Sequence, residues 1–281
     1  MVTINKINIE REKHKMKASI IGFGNFGKLM AKQLSKRIDI LVTDVLDKSK
    51  EAKEIGVKFV SLDDALKEKI IILSVPMENL VEILHKIKGK LKPGTLVLDV
   101  CSLKIFSANA MREILPKNIE VIATHPLFGP QSAPKSIAGM KIALCKVRAK
   151  NKTFNLVKKF CNSLKLKVIV TTPEKHDKEM AFSQALTHFI GQVAKRTNIK
   201  RVKLSTKTFD DLINIIETIK NDTSALFENI QTMNIFAKDM RKKFVNEAIA
   251  LDSQLNNIQI DCKGVKSKNG KSRIRKTRFS C

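Results

Sequence analysis

The 281-residue chain contains no tryptophan and no tyrosine, so it lacks the rings that usually stack on nucleic-acid bases. No apolar run approaches the ~18 residues that a membrane-spanning helix requires. The five cysteines (Cys101, Cys145, Cys161, Cys262 and Cys281) show no CxxC or CxxH spacing. That scatter argues against a structural zinc site or a disulfide framework and for reduced thiols. The opening stretch, MVTINKINIEREKHKMK, is charged throughout and has no apolar h-region. A secretory signal is therefore not expected, and a cytoplasmic location is.

Acidic residues are also few: 27 Asp and Glu stand against 53 Lys and Arg, for a net charge of +26. Two readings fit, a coding bias toward lysine on solvated faces or binding to a polyanion. Basic residues run along the whole chain, which favours the first reading. The exception is the tail, CKGVKSKNGKSRIRKTRFSC, which has no acid and no periodicity and is expected to be disordered. A positive field would also draw in small anions such as a dicarboxylate or a dinucleotide.

What is present is alternation. Short apolar runs at 18–22, 39–43, 70–75, 95–100, 120–124, 141–145 and 167–171 are separated by amphipathic stretches such as ENLVEILHKIKGKL. Strand and helix in repetition predict a parallel sheet with helices on both faces. After Pro173 the apolar spacing is helical only. The expected organisation is an arm (1–16), a nucleotide-binding α/β domain (17–171), a helical domain (172–260) and a basic tail (261–281).

The string IIGFGNFGKLMAKQL, residues 20–34, carries Gly22, Gly24 and Gly27 in the spacing G-x-G-x-x-G, between an expected strand and an expected helix. The first glycine permits the turn, the second admits a pyrophosphate, and the third lets helix and strand pack closely. The helix start offers free N–H groups to the phosphates. Phe23, Asn25 and Phe26 complete this loop. Asp44 closes the second expected strand, twenty positions after Gly24, where a carboxylate would accept hydrogen bonds from ribose hydroxyls and repel a 2′-phosphate. NAD is therefore expected over NADP. Ser74, Val75 and Pro76, at the end of another strand, are expected beside the cofactor. GNFGKL is not a P-loop, because no Ser or Thr follows its Gly-Lys pair.

Two further strand ends carry chemistry: LDVCSLK (98–104) and ATHPLFGPQSA (123–133). Ligands of open α/β sheets bind at the carboxyl edge, where both strings would lie. His125 sits at a strand end in a loop stiffened by Pro126, Gly129 and Pro130, a poor place for a packing residue. It is the candidate catalytic base. His176–Asp177 reads either as part of the site or as a helix start.

Together, IGFGNFG, DVCSLK, THPLFGPQSA and HDKEMAFSQALTHF (176–189) resemble the prephenate/arogenate dehydrogenase family of tyrosine biosynthesis over roughly residues 17–245. The resemblance implies a Rossmann-type doubly wound sheet followed by an all-helical dimerisation domain, and a homodimer. It implies oxidative decarboxylation of prephenate by NAD, with hydride leaving ring carbon C4 and CO₂ leaving C1. In that picture His125 is catalytic, and Ser102 hydrogen-bonds near the C4 hydroxyl. Gln184 and His188, four apart on one helical face, line the substrate pocket. Lys104 supports the loop or a carboxylate.

The match departs at one point. Many bacterial family members carry a carboxylate-gripping arginine five residues before an aspartate, where plant-like members carry Glu-Asn-Thr; Asp222 fits the aspartate, so Glu217 holds the arginine's place. Arg196, Arg201 or Lys220 could substitute. Gln131 is neutral where an acid would pair with the ammonium of arogenate, which tilts the expectation to prephenate, with arogenate as the alternative. A non-catalytic basic protein that binds nucleotide or nucleic acid is the reading from a different class. Neither a metal nor a membrane is expected.

Overall fold

The computed structural model describes residues 16–133, 135–220 and 222–257. The expected tail, and all but the last residue of the expected arm, lie outside the described residues.

Eight strands form one sheet in the order β3-β2-β1-β4-β5-β6-β7-β8. They are β1 Lys17–Ile21, β2 Asp39–Thr43, β3 Lys58–Phe59, β4 Ile70–Leu73, β5 Leu96–Asp99, β6 Glu120–Pro126, β7 Lys141–Arg148 and β8 Lys167–Val170. Between them run α1 Asn25–Leu34, α2 Ser49–Ile55, α3 Leu62–Ala65, α4 Leu80–Ile87, α5 Lys104–Ile114 and α6 Asn151–Ser163. The central strands are apolar on both sides because both faces are covered. Ala18, Ile20, Ile72, Leu96 and Leu98 enter the core on one face. Their neighbours Ile21, Ile71, Leu73 and Val97 enter the core on the other. Each such aliphatic side chain contributes roughly 1.5–3 kcal/mol by leaving water.

One expectation needs correction. The sheet is not wholly parallel, because β7 runs antiparallel to β6 in the register His125↔Ala143 and Pro126↔Ile142. Among the described residues of segment 127–140 there is no helix, and β7 pairs directly back on β6 instead of crossing over. The short β3 has no counterpart among the expected strands; two residues, half exposed at the sheet edge, leave no periodic signal.

Strands β1, β4, β5 and β6 are mutually parallel and end at one edge of the sheet. The glycine loop, 74–76, 99–104 and 125–133 therefore meet there. From Pro173 onward every described element is helical: α7 Pro173–Met180, a π-helical turn Ala181–Ala185, α8 Leu186–Arg196, α9 Lys207–Ile219, α10 Ser224–Thr232 and α11 Ala237–Asn256. Thr172, Thr206 and Thr223 cap α7, α9 and α10 by accepting backbone N–H bonds. The described residues up to Met240 form one compact unit, and a second begins at Arg241. The described part of the second unit is helical through Asn256 and mostly exposed.

Candidate functional site

The glycine loop is built from backbone close-packing. Gly22 has φ +98°, and a Cβ there would lie 2.4 Å from the Ser74 carbonyl oxygen. A Cβ on Gly27 would lie 2.1 Å from the Gly22 carbonyl oxygen. Only glycine allows β1, β4 and α1 to come this close. A Cβ on Gly24 would meet nothing within 4 Å. Gly24 precedes α1 without a side-chain cap, so the first-turn N–H groups lack intrahelical acceptors. The open face at Gly24 and those N–H groups fit a dinucleotide pyrophosphate.

Asp44 secures this loop. It accepts from the Phe23 N–H at 2.7 Å, the Leu46 N–H at 3.1 Å and the Lys48 ammonium at 2.9 Å. Burial alone would raise the carboxyl, but Lys48 and the two N–H donors outweigh it and hold the group below its ordinary range. Phe23 turns its ring into the core, so its contribution is backbone only. The Phe26 ring packs 6.2 Å from that of Phe128, joining the glycine loop to the loop after His125.

Behind that loop lies a buried charge cluster. Lys104 is fully buried; its ammonium bonds the Asp99 carboxylate and donates to the Thr124 carbonyl at 2.7 Å. The other Asp99 oxygen accepts the Thr124 N–H at 3.0 Å, one residue before His125. Of the two roles expected for Lys104, support of the loop fits this geometry, and contact with a substrate carboxylate is corrected. Its charge is consumed by an aspartate five residues earlier, and the side chain does not reach the cleft.

Asp177 on α7 reaches back to the start of α5 and accepts the N–H groups of Lys104 (2.8 Å) and Ile105 (2.9 Å). It also meets His176 Nδ1 at 2.7 Å. His176 Nε2 in turn lies 2.9 Å from His125 Nδ1. Burial first, then the neighbouring His176 and Lys104, push His125 well below the ordinary histidine range. It is neutral at pH 7. The helix start read at His176–Asp177 is corrected: α7 begins at Pro173 behind its Thr172 cap, and Asp177, one turn further on, accepts the first N–H groups of a different helix. The adjacent polar pair was the available signal.

A cleft of about 1820 Å³ joins these parts. Gly22, Gly24, Asn25, Phe26, Asp44, Ser74, Val75 and Pro76 line one end. Ser102, His125, Gln131, Gln184 and His188 line the same cleft, as do Thr218 and Asp222. Among the expected site residues, Phe23, Gly27 and Lys104 do not line it. Gln184 Oε1 is buried with no hydrogen-bond partner. His188 Nδ1 stands 3.5 Å from Asp222. Burial lowers His188, partly offset by Asp222, and burial raises Asp222. Arg196, Arg201 and Lys220 are absent from the lining, and Arg201 pairs with Glu217 at 3.3 Å instead. The described cations that line the cleft are Lys48, Lys86 and Lys141. Lys141 opens β7 two residues before Ala143, the partner of His125, so it shares that face of the sheet.

Sheet order, glycine loop and cleft define a Rossmann-type nucleotide-binding fold that continues into a helical segment. Residues 27–170, about half the chain, match the family model of the prephenate dehydrogenase nucleotide-binding domain, and residues 193–264 match that of the TYRAAT1-like C-terminal domain. The chain belongs to the prephenate/arogenate dehydrogenase family. It is 31% identical over 253 residues to a Methanocaldococcus jannaschii protein named as a probable arogenate/prephenate dehydrogenase, covering 85% of this chain and 56% of that one. It is 28% identical to the chloroplastic arogenate dehydrogenase 1 of Arabidopsis thaliana, covering 86% of this chain and 39% of that one. The chain thus spans about half the length of these relatives or less. In fold it is similar to a prephenate dehydrogenase from Aquifex aeolicus solved with hydroxyphenyl propionate and NAD⁺, with a TM-score of 0.70, 19% identity and coverage of 86% of this chain and 91% of that one.

Proposed function

We propose that this chain is an NAD-dependent prephenate dehydrogenase. The observation that carries the reading is His125: a neutral, buried imidazole tethered at Nδ1, in the cleft that also holds the open glycine loop. A bound nicotinamide would accept the hydride released from C4 of the substrate ring. His125 draws the C4 hydroxyl proton as that C–O bond gains double-bond character. The C1–carboxylate bond then breaks, its electron pair enters the ring, and CO₂ leaves. His125 returns the proton to the ring oxygen, so proton, hydride and charge balance in 4-hydroxyphenylpyruvate. Ser102 hydrogen-bonds the same hydroxyl. Gln131, Gln184 and His188 bind the rest of the substrate. Lys141 supplies the positive charge for a carboxylate that the missing arginine would otherwise provide. Asp44 favours NAD by repelling a 2′-phosphate. The enzyme works as a homodimer in the cytoplasm.

Arogenate is the second reading. Asp222 supports it, as a carboxylate lining the pocket that could face an ammonium, and so do the arogenate-named relatives. The test is absorbance of the reduced nicotinamide with prephenate and arogenate in parallel, each with NAD⁺ and NADP⁺. Turnover of prephenate with NAD⁺ is the expected result. Preference for arogenate would move the weight from Gln131 to Asp222, and preference for NADP⁺ would overturn the role of Asp44. No turnover, in folded protein that binds NAD, would favour a non-catalytic binding role.

A further inference from the structure

His125 Nδ1 is engaged by His176, which leaves one ring nitrogen for chemistry. Asp177 holds two backbone N–H donors from the start of α5, at 2.8 and 2.9 Å. As a carboxylate it can only accept, so the third group it meets, His176 Nδ1 at 2.7 Å, must bring a hydrogen. A neutral imidazole protonated at Nδ1 presents a bare Nε2. With His176 in that neutral form, its bare Nε2, 2.9 Å from His125 Nδ1, takes a hydrogen from it. The remaining nitrogen, His125 Nε2, is left unprotonated on a side chain that lines the cleft. The chain of constraint begins at a helix start and ends at the base.

We propose that His176 and Asp177 are positioning residues, which lock His125 in its Nδ1–H tautomer so that Nε2 is the acceptor offered to the substrate. The geometry is anchored at every step. His176 and Asp177 are almost wholly buried. The Asn234 amide donates to the Asp177 carbonyl at 2.9 Å, which ties this turn of α7 to the segment before α11. The catalytic consequence rests on the function proposed above, but the tautomer does not.

The test is ¹⁵N–¹H correlation of the imidazole rings in the full chain, with His125 assigned by its loss in His125→Asn. In the wild type, His125 Nδ1 is expected to give a pyrrole-type signal and Nε2 a pyridine-type one. His176→Leu removes the acceptor and should release His125 into a mixture with the Nε2–H form. It should also lower kcat by on the order of 10²-fold at unchanged NAD affinity. His176→Gln keeps an amide oxygen near the lost Nε2 and should restore most of both signals; a merely structural role would not separate the two variants this way. A wild-type His125 protonated at Nε2, or a ring spectrum indifferent to His176→Leu, would overturn the proposal. Should His176→Leu fail to fold, the wild-type tautomer and the His176→Gln spectrum still decide it. Absence of turnover in the wild type would sink the functional reading and leave the tautomer result standing.

Discussion

Two His–Asp pairs serve the same cleft and are built differently. His176 and Asp177 meet at 2.7 Å with both side chains 2% exposed, and Asp177 also accepts two backbone N–H groups of α5. His188 and Asp222 stand 3.5 Å apart at 17% and 22% exposure, beside a glutamine whose Oε1 has no partner. The first pair is buried and does not line the cleft, so it can only orient what it touches. The second keeps capacity unused, which is a cost in an empty protein and a benefit once a polar ligand arrives. Under the proposed function, rigid geometry at the sheet edge would serve the reacting part of the site and unsatisfied geometry on the helices the recognising part.

The largest expected effect tests the reacting part. His125→Asn should reduce kcat by about 10²–10⁴-fold and leave NAD affinity, measured by calorimetry, unchanged. His188→Asn should act through KM instead, by about tenfold for one lost hydrogen bond. Equal losses in kcat from both would erase the distinction.

Next comes the scaffold behind His125. Lys104→Met leaves the Asp99 carboxylate buried without its cation, which should cost about 3–5 kcal/mol in a urea or thermal unfolding transition. Lys141→Met, at an exposed position on the same face of the sheet as His125, should leave stability unchanged and raise KM for a dicarboxylate. A Lys104→Met protein of unchanged stability would mean that the buried Asp99 carboxylate does not depend on this cation.

The burial of Lys104 shows where the sequence is readable. The glycine loop, Asp44 and the loop after His125 were legible because turns and strand ends are punctuated locally by Gly, Pro and a change of period. The fate of Lys104 was not, because nothing in LDVCSLK says whether a lysine bends back to Asp99 or reaches outward. The sense of β7 was equally hidden, since an apolar run reads the same in either direction. His176 and Asp177 looked like the start of one helix because their real partners, Lys104, Ile105 and His125, lie more than fifty residues away. Long-range pairing, rather than local propensity, built most of what positions the base.

The two aspartates offer a smaller and sharper contrast. Asp177→Asn keeps the shape but turns an amide N–H toward at least one of three donors, so about 1–2 kcal/mol of stability should be lost. Asp222→Asn removes a carboxylate that burial already disfavours, and should change stability by about 0.5 kcal/mol or less. If Asp222→Asn proved the more damaging, the loose pair would be a structural element and the division of the site would fail.

The smallest effect is a slope. Burial lowers both His125 and His188 from the ordinary histidine value near ~6.5. Above that pH neither state carries the extra proton, and stability does not change on their account. As pH falls below it the unfolded chain takes up protons that the native state refuses, so stability declines by up to about 1.4 kcal/mol per pH unit for each histidine. Asp222, raised by burial, works in the opposite sense. Urea midpoints between pH 7.5 and pH 5 should therefore fall, and His125→Asn should flatten the slope more than His188→Asn, because Asp222 offsets the burial of His188 while His176 and Lys104 reinforce that of His125. A slope indifferent to His125→Asn would mean that the reacting histidine is not held neutral by the fold, and the tight pair would lose its claim to control it.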